Sequence, residues 1–587
     1  MPRFLYWAAS AGLLVLQAVF LIGSLSQKSA TFDEPSHLVS GLQYVATGDY
    51  GTAVDPPPVI KVLAARAVRW SGVPVEFSPH QIGWSPNYLT GSAQIILFRR
   101  NDADRLLFWG RMPTVAMSVL LALAVFVWAR RCWGDGGGLL ALVLAVFCPT
   151  LLANGRLITT DVPVALFLFV AVGLLARDAR RLSVATPLAG VALGLAMLSK
   201  HSGALCIPIL LALLAARAFA AEPWSAGVMA FTGLGERADR AGKLALAGLS
   251  ALLVLSVAWL AVWGFYGFRY RSWSPEDPAA AGKLVAQAEF RTANAMPASA
   301  WPRLLDAAES ARLLPEPYLL GLRFTLRKMR YRLSYFMGER SIEGSFWYFP
   351  VSFLVKTPVG LLMLLGMASG LLWRRKAVID PSRAVYLLGF PLLYFGATLF
   401  SHINIGHRHL MPLYPFLFVI GGAAACLLWD ARWTGRLACG AALAWFVAAS
   451  LWIRPDYLAY FNELAGGPRG GMRILGDSSL DWGEDLRRLR PWMEEHGVRR
   501  IKLGYFGTAL PEYYGFEYEW LPSVGFLNDQ PGTRHIAEGD YLAVSATCLQ
   551  GFYFDDMKQY DFLRQFEPID HLGHSIYLFH IRRDRMR

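Results

Sequence analysis

About eleven apolar runs dominate this 587-residue chain, each approaching the roughly 20 residues that an α-helix needs to cross a bilayer. Only 17% of the residues are charged, against roughly 25% in soluble proteins, which excludes a purely soluble enzyme. The first run is longer than the apolar part of a signal peptide, so we interpret it as a retained anchor. Spans are predicted near 4–25, 111–129, 137–153, 161–176, 185–198, 203–220, 244–264, 346–373, 384–400, 410–428 and 437–452.

Lys and Arg residues predict the orientation of these spans, because positive charge in short loops is retained on the cytoplasmic side. One alternate set of loops holds about 15 of them, and the other set holds about three. This places the amino terminus in the cytoplasm and everything after the last span on the opposite side. The net charge of +13 therefore reflects topology, and no nucleic-acid partner is inferred from it.

The orientation divides the chain into a membrane domain, residues 1–452, and an extracytoplasmic tail, residues 453–587. Two hydrophilic loops, about 26–110 and about 265–345, face the same side as the tail. Active chemistry is therefore expected on that side. The predicted fold class is mainly α, a polytopic membrane helical bundle of about eleven spans with a C-terminal α/β domain.

Alternating runs in the tail indicate that α/β domain. The segments 472–476 and 500–506 are typical of strands, and the segment between them contains an acidic helix start at 481–484. A strand, a helix and a strand in this order predict a small sheet covered by helices.

Two adjacent carboxylates, Asp33 and Glu34, directly follow the first span. Pro35 behind them favours a helix start with Asp33 near its N-cap, so the pair could simply cap a surface helix. Asp161 opens the fourth span, where an ionisable group is costly and usually functional. It could equally cap that helix, and spacing alone does not decide between these roles.

Six motifs, in this order and on this topology, resemble the GT-C membrane glycosyltransferases, specifically the protein O-mannosyltransferase-like glycosyltransferase family 39, which includes the lipid A aminoarabinose transferases. Each motif is weak when it stands alone. The tail around Asp477–Leu486 also looks like the tails of bacterial members. The six motifs are Asp33-Glu34, the Thr-Gly-Asp…Pro-Pro…Lys run at 46–61, Thr159-Thr-Asp161, Ser199-Lys-His-Ser-Gly203, Trp347-Tyr-Phe-Pro350 with Lys356-Thr-Pro358, and Arg408-His-Leu-Met-Pro-Leu-Tyr-Pro415.

This resemblance implies an enzyme, a hexosyl- or pentosyltransferase that moves a sugar from a polyprenyl-phosphate donor, with inversion, to an acceptor hydroxyl outside the cytoplasm. The pKa of an alcohol lies far above 7, so its attack is helped by a carboxylate that accepts the proton. Asp33 occupies the matching position and is the expected general base. Glu34 and Asp161 are the further acidic candidates for catalysis.

Positive side chains are the expected binding groups for the donor phosphate, because Lys and Arg stabilise the charge that develops on the leaving group. The candidates are Lys61, Lys200 and Arg408. Lys61 could instead be a snorkelling lysine on the amphipathic run 59–70.

No cofactor is required by this chemistry, and no metal site is predicted. Some lipid A relatives carry a metal in their outer loops, so the question of whether a divalent ion assists the reaction stays open. His407 and His409 flank Arg408, but their spacing places them on different helical faces and no nearby carboxylate completes a ligand set. The six cysteines show no CxxC spacing, so neither zinc nor a disulfide framework is predicted.

The rival interpretation is a transporter or flippase that moves a lipid-linked saccharide without transfer chemistry. A carrier predicts pseudo-repeated halves with paired broken helices, which the sequence does not display, whereas its carboxylates gather at one membrane face. A third interpretation is an inactive relative that binds glycans through its tail. The favoured enzyme has as partners a polyprenyl-phosphate sugar, an acceptor protein, lipid or glycan, and membrane lipid, in a bacterial plasma membrane.

Overall fold

A computed structural model describes residues 2–87, 89–233, 235–274, 276–296, 300–330, 332–374, 379–429, 433–582 and 584. The described chain is mainly helical, and its longer helices alternate with short turns and longer loops. These helices are α1 (Arg3–Leu25), α2 (Glu34–Thr47), α3 (Val59–Trp70), α4 (Ala103–Val146), α5 (Asp161–Arg177), α6 (Ala185–Ser199), α7 (Ile207–Ala218), α8 (Arg240–Phe265), α9 (Ala280–Ala293), α10 (Ala300–Ser310), α11 (Glu316–Lys328), α12 (Tyr348–Lys356), α13 (Val359–Arg374), α14 (Pro381–Thr398), α15 (Tyr414–Gly421) and α16 (Trp433–Trp452).

The predicted helical membrane bundle is confirmed, and helix occupies most of each predicted apolar run. In the described residues, fewer helices than the predicted eleven can cross a bilayer alone: α1, α4, α8, the helical segment His407–Leu428 and α16. The pair α12 and α13 is a sixth candidate, bent by 104° at its break. Part of the difference in number arises because the predicted spans 111–129 and 137–153 fall largely within the single helix α4. The two parts of α4 meet at a kink at Gly134, whose φ is 73°.

The predicted sheet region is present in the tail. Its strands are β5 (Arg500–Gly504), β6 (Glu517–Trp520), β7 (Tyr541–Ser545), β8 (Asp570–Leu572) and β9 (Ile576–His580), in the spatial order β6-β5-β7-β9-β8. β5 pairs in parallel with β6 and β7, whereas β9 is antiparallel to β7 and β8. Short antiparallel ladders also join β1 (Trp224–Ser225) to β2 (Glu236–Arg237) and β3 (Ser334–Phe336) to β4 (Glu339–Ser341).

Two local predictions in the tail are wrong. The segment 472–476 is not a strand, since only Leu475 forms a single bridge, to Phe336. The helix expected at 481–484 begins instead at Leu489 and ends at Glu495. The reason is that the Asp481 carboxylate accepts N–H groups from Gly483 and Thr547, so it stabilises a turn against the sheet rather than capping a helix.

A buried ion cluster fastens the tail to the chain just after α1. The ammonium of Lys28 lies 2.8 Å from Asp456, 3.2 Å from Glu484 and 2.6 Å from Asp485. Arg156, which precedes α5, lies 3.1 Å from Glu484. Burial of charge is costly unless each charge is paired, so this cluster fixes the tail in one position relative to the segment that follows α1.

Candidate active site

A cavity of about 520 Å³ lies where one end of the membrane helices meets the tail. Residues from both parts line it, so the tail supplies one wall. The charged and His side chains of the lining are Asp33, His37, Asp55, Lys200, His201, Lys328, Arg332, Arg408, His409 and Asp477, and its tail aromatics are Trp482, Phe506, Phe526 and Tyr553.

Asp33 lies on the wall of this cavity, immediately before α2. Its carboxylate makes no hydrogen bond that would cap the helix, and its side chain is 23% exposed. A partly exposed carboxylate on the cavity wall is placed to accept a proton from a hydroxyl bound there. The alternative that Asp33 only caps α2 does not describe this geometry.

Arg408 connects the two acidic candidates. It stands in a 3-10 segment, His407–Leu413, and its guanidinium lies 3.5 Å from Asp33 and 3.8 Å from Asp161. The side chain is 11% exposed and lines the cavity. The structure therefore brings together three residues that stand far apart in the sequence.

Lys200 and Asp161 form an ion pair of 2.7 Å beside Arg408. Lys200 lines the cavity and is 21% exposed, whereas Asp161 is buried behind it at the start of α5. Asp161 therefore touches both cations of the site but stands outside the cavity lining as described. Its position favours holding the cations over contacting a ligand.

Glu34 is not brought to the cavity, in contrast to its expected role. It is buried and paired with Arg111 at 2.6 Å, and it accepts the N–H groups of Thr31 and Ile158. Burial alone would raise the pKa of Glu34, but Arg111 and these two N–H groups hold it below its usual value. The carboxylate is fully occupied, so it stabilises the start of α2 as a structural anion.

Lys61 is also absent from the described lining of the cavity. It lies buried in α3 and donates to the carbonyl of Ala53 at 2.8 Å and to the Tyr44 hydroxyl at 3.4 Å. Burial lowers the pKa of Lys61 to about 7. The snorkelling alternative does not hold either, since the ammonium ties α3 to the loop that carries Asp55.

A second charged group in the cavity escaped the sequence assignment. Asp55 accepts hydrogen bonds from Thr325 and Lys328, both at 3.1 Å, and lies 3.9 Å from His201. Burial opposes ionisation of Asp55, but Lys328 lowers its pKa below the usual value. The only sequence signal was the position of Asp55 in the 46–61 motif, because its partners come from α11.

Asp477 and Tyr553 close the cavity from the tail. Tyr553 donates a short hydrogen bond to the Asp477 carboxylate, and both residues line the cavity. Burial raises the pKa of Asp477. No motif pointed to Tyr553, since nothing in a strand-and-turn pattern tells which loop faces a membrane domain.

His407, next to Arg408, forms hydrogen bonds with hydroxyl groups. His407 lies 2.6 Å from the Tyr414 hydroxyl and 2.8 Å from that of Ser352. Within the described ranges, no group of three or more His, Cys, Asp or Glu side chains is placed to hold a metal ion.

Comparison with known proteins supports a membrane glycosyltransferase. Residues 104–234 match the family model described as dolichyl-phosphate-mannose-protein mannosyltransferase. That segment contains two of the motifs singled out in the sequence, at 159–161 and 199–203. The predicted resemblance is thereby confirmed over residues 104–234, and several described helices are long and apolar enough to cross a membrane. No curated protein sequence matches the chain.

Several solved structures are similar over long stretches. ArnT from Cupriavidus metallidurans bound to undecaprenyl phosphate is 13% identical, with 97% of both chains covered and a TM-score of 0.43. The oligosaccharyltransferase of Archaeoglobus fulgidus is 13% identical over 93% of this chain and 70% of that one, with a TM-score of 0.45. The Pmt1-Pmt2 protein O-mannosyltransferase complex of S. cerevisiae is 20% identical over 48% and 36%, with a TM-score of 0.34.

Proposed function

We propose that the chain transfers a sugar from a polyprenyl-phosphate donor, with inversion, to an acceptor hydroxyl on the extracytoplasmic side of a bacterial plasma membrane. In this arrangement the amino terminus is cytoplasmic, and the tail, residues 453–587, stands outside with the two outer loops. The single observation that supports the proposal most is one cavity in which an accessible carboxylate, Asp33, faces two cations, Arg408 and Lys200.

Asp33 is the proposed general base. In one displacement the acceptor oxygen bonds to the anomeric carbon, the bond from that carbon to the phosphate oxygen breaks, and the hydroxyl proton passes to the Asp33 carboxylate. A single displacement inverts the anomeric carbon and needs only one base. The side chain suits this role because it lines the cavity, is partly exposed and makes no helix-capping hydrogen bond.

Arg408 and Lys200 are the proposed binding groups for the donor phosphate. The guanidinium and the ammonium both face the cavity, and they supply positive charge where the leaving phosphate gains negative charge. Asp161 holds the two cations from behind, at 3.8 Å and 2.7 Å. We therefore assign Asp161 a positioning role in place of direct catalysis.

Apolar side chains support entry of the lipid carrier from the bilayer. Leu205, Phe349, Ile403 and Ile405 are among the apolar side chains that line the cavity. A polyprenyl chain is apolar and gains free energy when it leaves water for such a surface. The phosphate would then lie at the boundary between this apolar part and the two cations.

The experiment compares purified wild type with Asp33→Asn on a panel of radiolabelled polyprenyl-phosphate sugars in the presence of a membrane extract. The substitution keeps the shape and removes the proton acceptor, so release of label from the lipid is expected to fall by about 10²- to 10⁴-fold. Donor binding, measured in parallel, is expected to persist. Asp135→Asn is the matched control, because Asp135 is an exposed carboxylate paired with Arg130 outside the cavity.

Full transfer activity in Asp33→Asn would remove Asp33 from the mechanism. Binding of donors that wild type never consumes, together with movement of labelled donor across vesicle membranes, would support the flippase instead. The two results are distinguishable because the first measures release of the sugar and the second measures its location.

A further inference from the structure

A larger groove lies apart from the candidate active site, between α4, α5 and the start of α14. Its volume is about 710 Å³, which is within the roughly 300–1,000 Å³ that small-molecule sites occupy. Most of its wall is apolar, and the exposed side chains Leu120, Leu123 and Val127 form the part that faces outwards. These residues lie in apolar helices, so this part of the groove opens to lipid.

Three arginines gather at one end of this groove. Arg131 lies in α4, Arg177 is the last residue of α5, and Arg383 is in the first turn of α14. All three are exposed. Each helix brings its arginine to the side predicted to be cytoplasmic, so the charged end lies at the level of the lipid headgroups.

The groove keeps a net positive charge. Asp380 is the acidic residue of its lining, and its carboxylate already lies 2.7 Å from Arg180 and accepts hydrogen bonds from the N–H and hydroxyl of Ser382. In the described part of the chain no carboxylate lies within 4 Å of Arg131 or Arg177. Two guanidinium groups are therefore available to a ligand.

We infer that this groove binds one anionic phospholipid of the surrounding bilayer, with its phosphate at Arg131 and Arg177 and its acyl chains along the apolar wall, while Arg383 lies 3.9 Å from Asp380 and adds positive charge nearby. The charge pattern matches this occupant, since an anionic headgroup meets the cations while the tails meet Leu and Val side chains. Zwitterionic lipid offers the same tails but no net charge. The inference does not depend on the transfer reaction proposed above.

The test is native mass spectrometry of the purified full chain with phosphatidylglycerol or phosphatidylcholine of identical acyl chains. Wild type is expected to retain one phosphatidylglycerol under conditions that strip phosphatidylcholine. The double variant Arg131→Gln with Arg177→Gln is expected to bind phosphatidylglycerol roughly 30-fold more weakly, at about 5-fold for each basic residue. Both side chains are exposed, so the fold should be unaffected.

The matched control is Arg3→Gln with Arg240→Gln. It removes two exposed arginines from the same predicted side but outside the groove, and phosphatidylglycerol retention is expected to stay at the wild-type level. Equal losses in both double variants, an unchanged affinity in the groove variant, or equal retention of the two lipids in wild type would each overturn the inference.

A third variant tests the apolar wall separately. Leu123→Trp fills the groove and keeps all three arginines, so it is expected to reduce retention of phosphatidylglycerol as well. Unchanged retention in Leu123→Trp would place the lipid elsewhere and contradict the assigned groove.

Discussion

The guanidinium carbon of Arg408 lies 3.9 Å from the centre of the Trp482 ring. Arg408 belongs to the membrane part and Trp482 to the tail, and both line the candidate active site. The carbonyl of Trp482 also accepts the N–H of Phe32 at 2.9 Å. One tail residue therefore contacts Arg408 through its ring and Phe32, the neighbour of Asp33 in the chain, through its backbone carbonyl.

Replacement of the Trp482 ring is expected to slow sugar transfer. A cation over an aromatic face is stabilised by about 0.5–2 kcal/mol, so Trp482→Leu should lower kcat by roughly 2- to 30-fold as Arg408 loses its orientation. Trp482→Phe should restore part of the rate because it keeps an aromatic face. Initial rates measure both effects, with Trp520→Leu as a tail control outside the cavity. No recovery in Trp482→Phe would argue that the ring only fills space.

Removal of Lys28 is expected to loosen the tail. Lys28→Met leaves Asp456, Glu484 and Asp485 without a central cation, and breaking a buried ion pair costs about 3–5 kcal/mol. The midpoint of thermal unfolding should fall, and limited proteolysis should release the tail earlier. The control is Arg490→Met, which breaks an exposed pair with Glu494 and should change stability by less than about 1 kcal/mol. Equal effects of the two variants would show that the cluster does not fasten the tail.

The same cluster predicts sensitivity to acid. Burial opposes ionisation of Asp456, but Lys28 and Arg488 hold its pKa at about 2, below the usual 3.8 of an aspartate side chain. Because the folded pKa is depressed, this group stabilises the fold above pH 3.8, and its contribution is lost as the pH falls towards 2. The free energy of unfolding, measured by denaturant titration at several pH values, should fall more steeply between pH 3.8 and pH 2 in wild type than in Asp456→Asn. Parallel pH profiles would remove Asp456 as a source of acid sensitivity.

Chelation provides a further prediction. Arg408 and Lys200 supply positive charge at the cavity from the chain itself, so we expect transfer to continue at an undiminished rate in the presence of a chelator. The assay is the release of labelled sugar with and without chelator. Loss of activity that one added divalent ion restores would show that an ion assists the reaction.

Much of the fold was predictable from the sequence, because hydropathy reports the apolar runs directly. Asp33 and Arg408 could be singled out because they stand in motifs of the family that the sequence resembles, and Asp161 because an ionisable group in an apolar span is costly. Their meeting at 3.5 Å could not be derived from spacing, since a chain separation of 375 residues contains no distance information. It required the packing of the helices.

The tail shows where local pattern stops being informative. Acidic residues at 481–485 suggested a helix start, but Glu484 and Asp485 are partners of Lys28 and Asp481 binds backbone N–H groups. The same residue types can cap, pair or hold a turn, and only the opposing surface decides between these roles. Glu34 illustrates the same limit, because its neighbour Asp33 faces the cavity while Glu34 faces Arg111.

Lys61 and Lys200 are expected to differ when each is replaced by Met. Lys200→Met removes a cation from the cavity, so the donor KM should rise by about 10-fold or more, since a hydrogen bond to a charged group is worth about 1.5–3 kcal/mol. Lys61→Met should leave the donor KM unchanged, because the Lys61 ammonium donates to the Ala53 carbonyl outside the described lining.

The stability of the Lys61→Met variant should change instead. Burial lowers the pKa of Lys61 to about 7 from 10.5, so the unfolded chain binds a proton that the folded protein has lost between these values. Wild-type stability should therefore gain from this group as the pH rises from 7 to 10.5, and Lys61→Met should remove that gain. Denaturant titrations between pH 7 and 10.5 measure this gain in the free energy of unfolding, and the donor KM is measured in parallel. An equal rise of the KM in both variants would return Lys61 to the donor site.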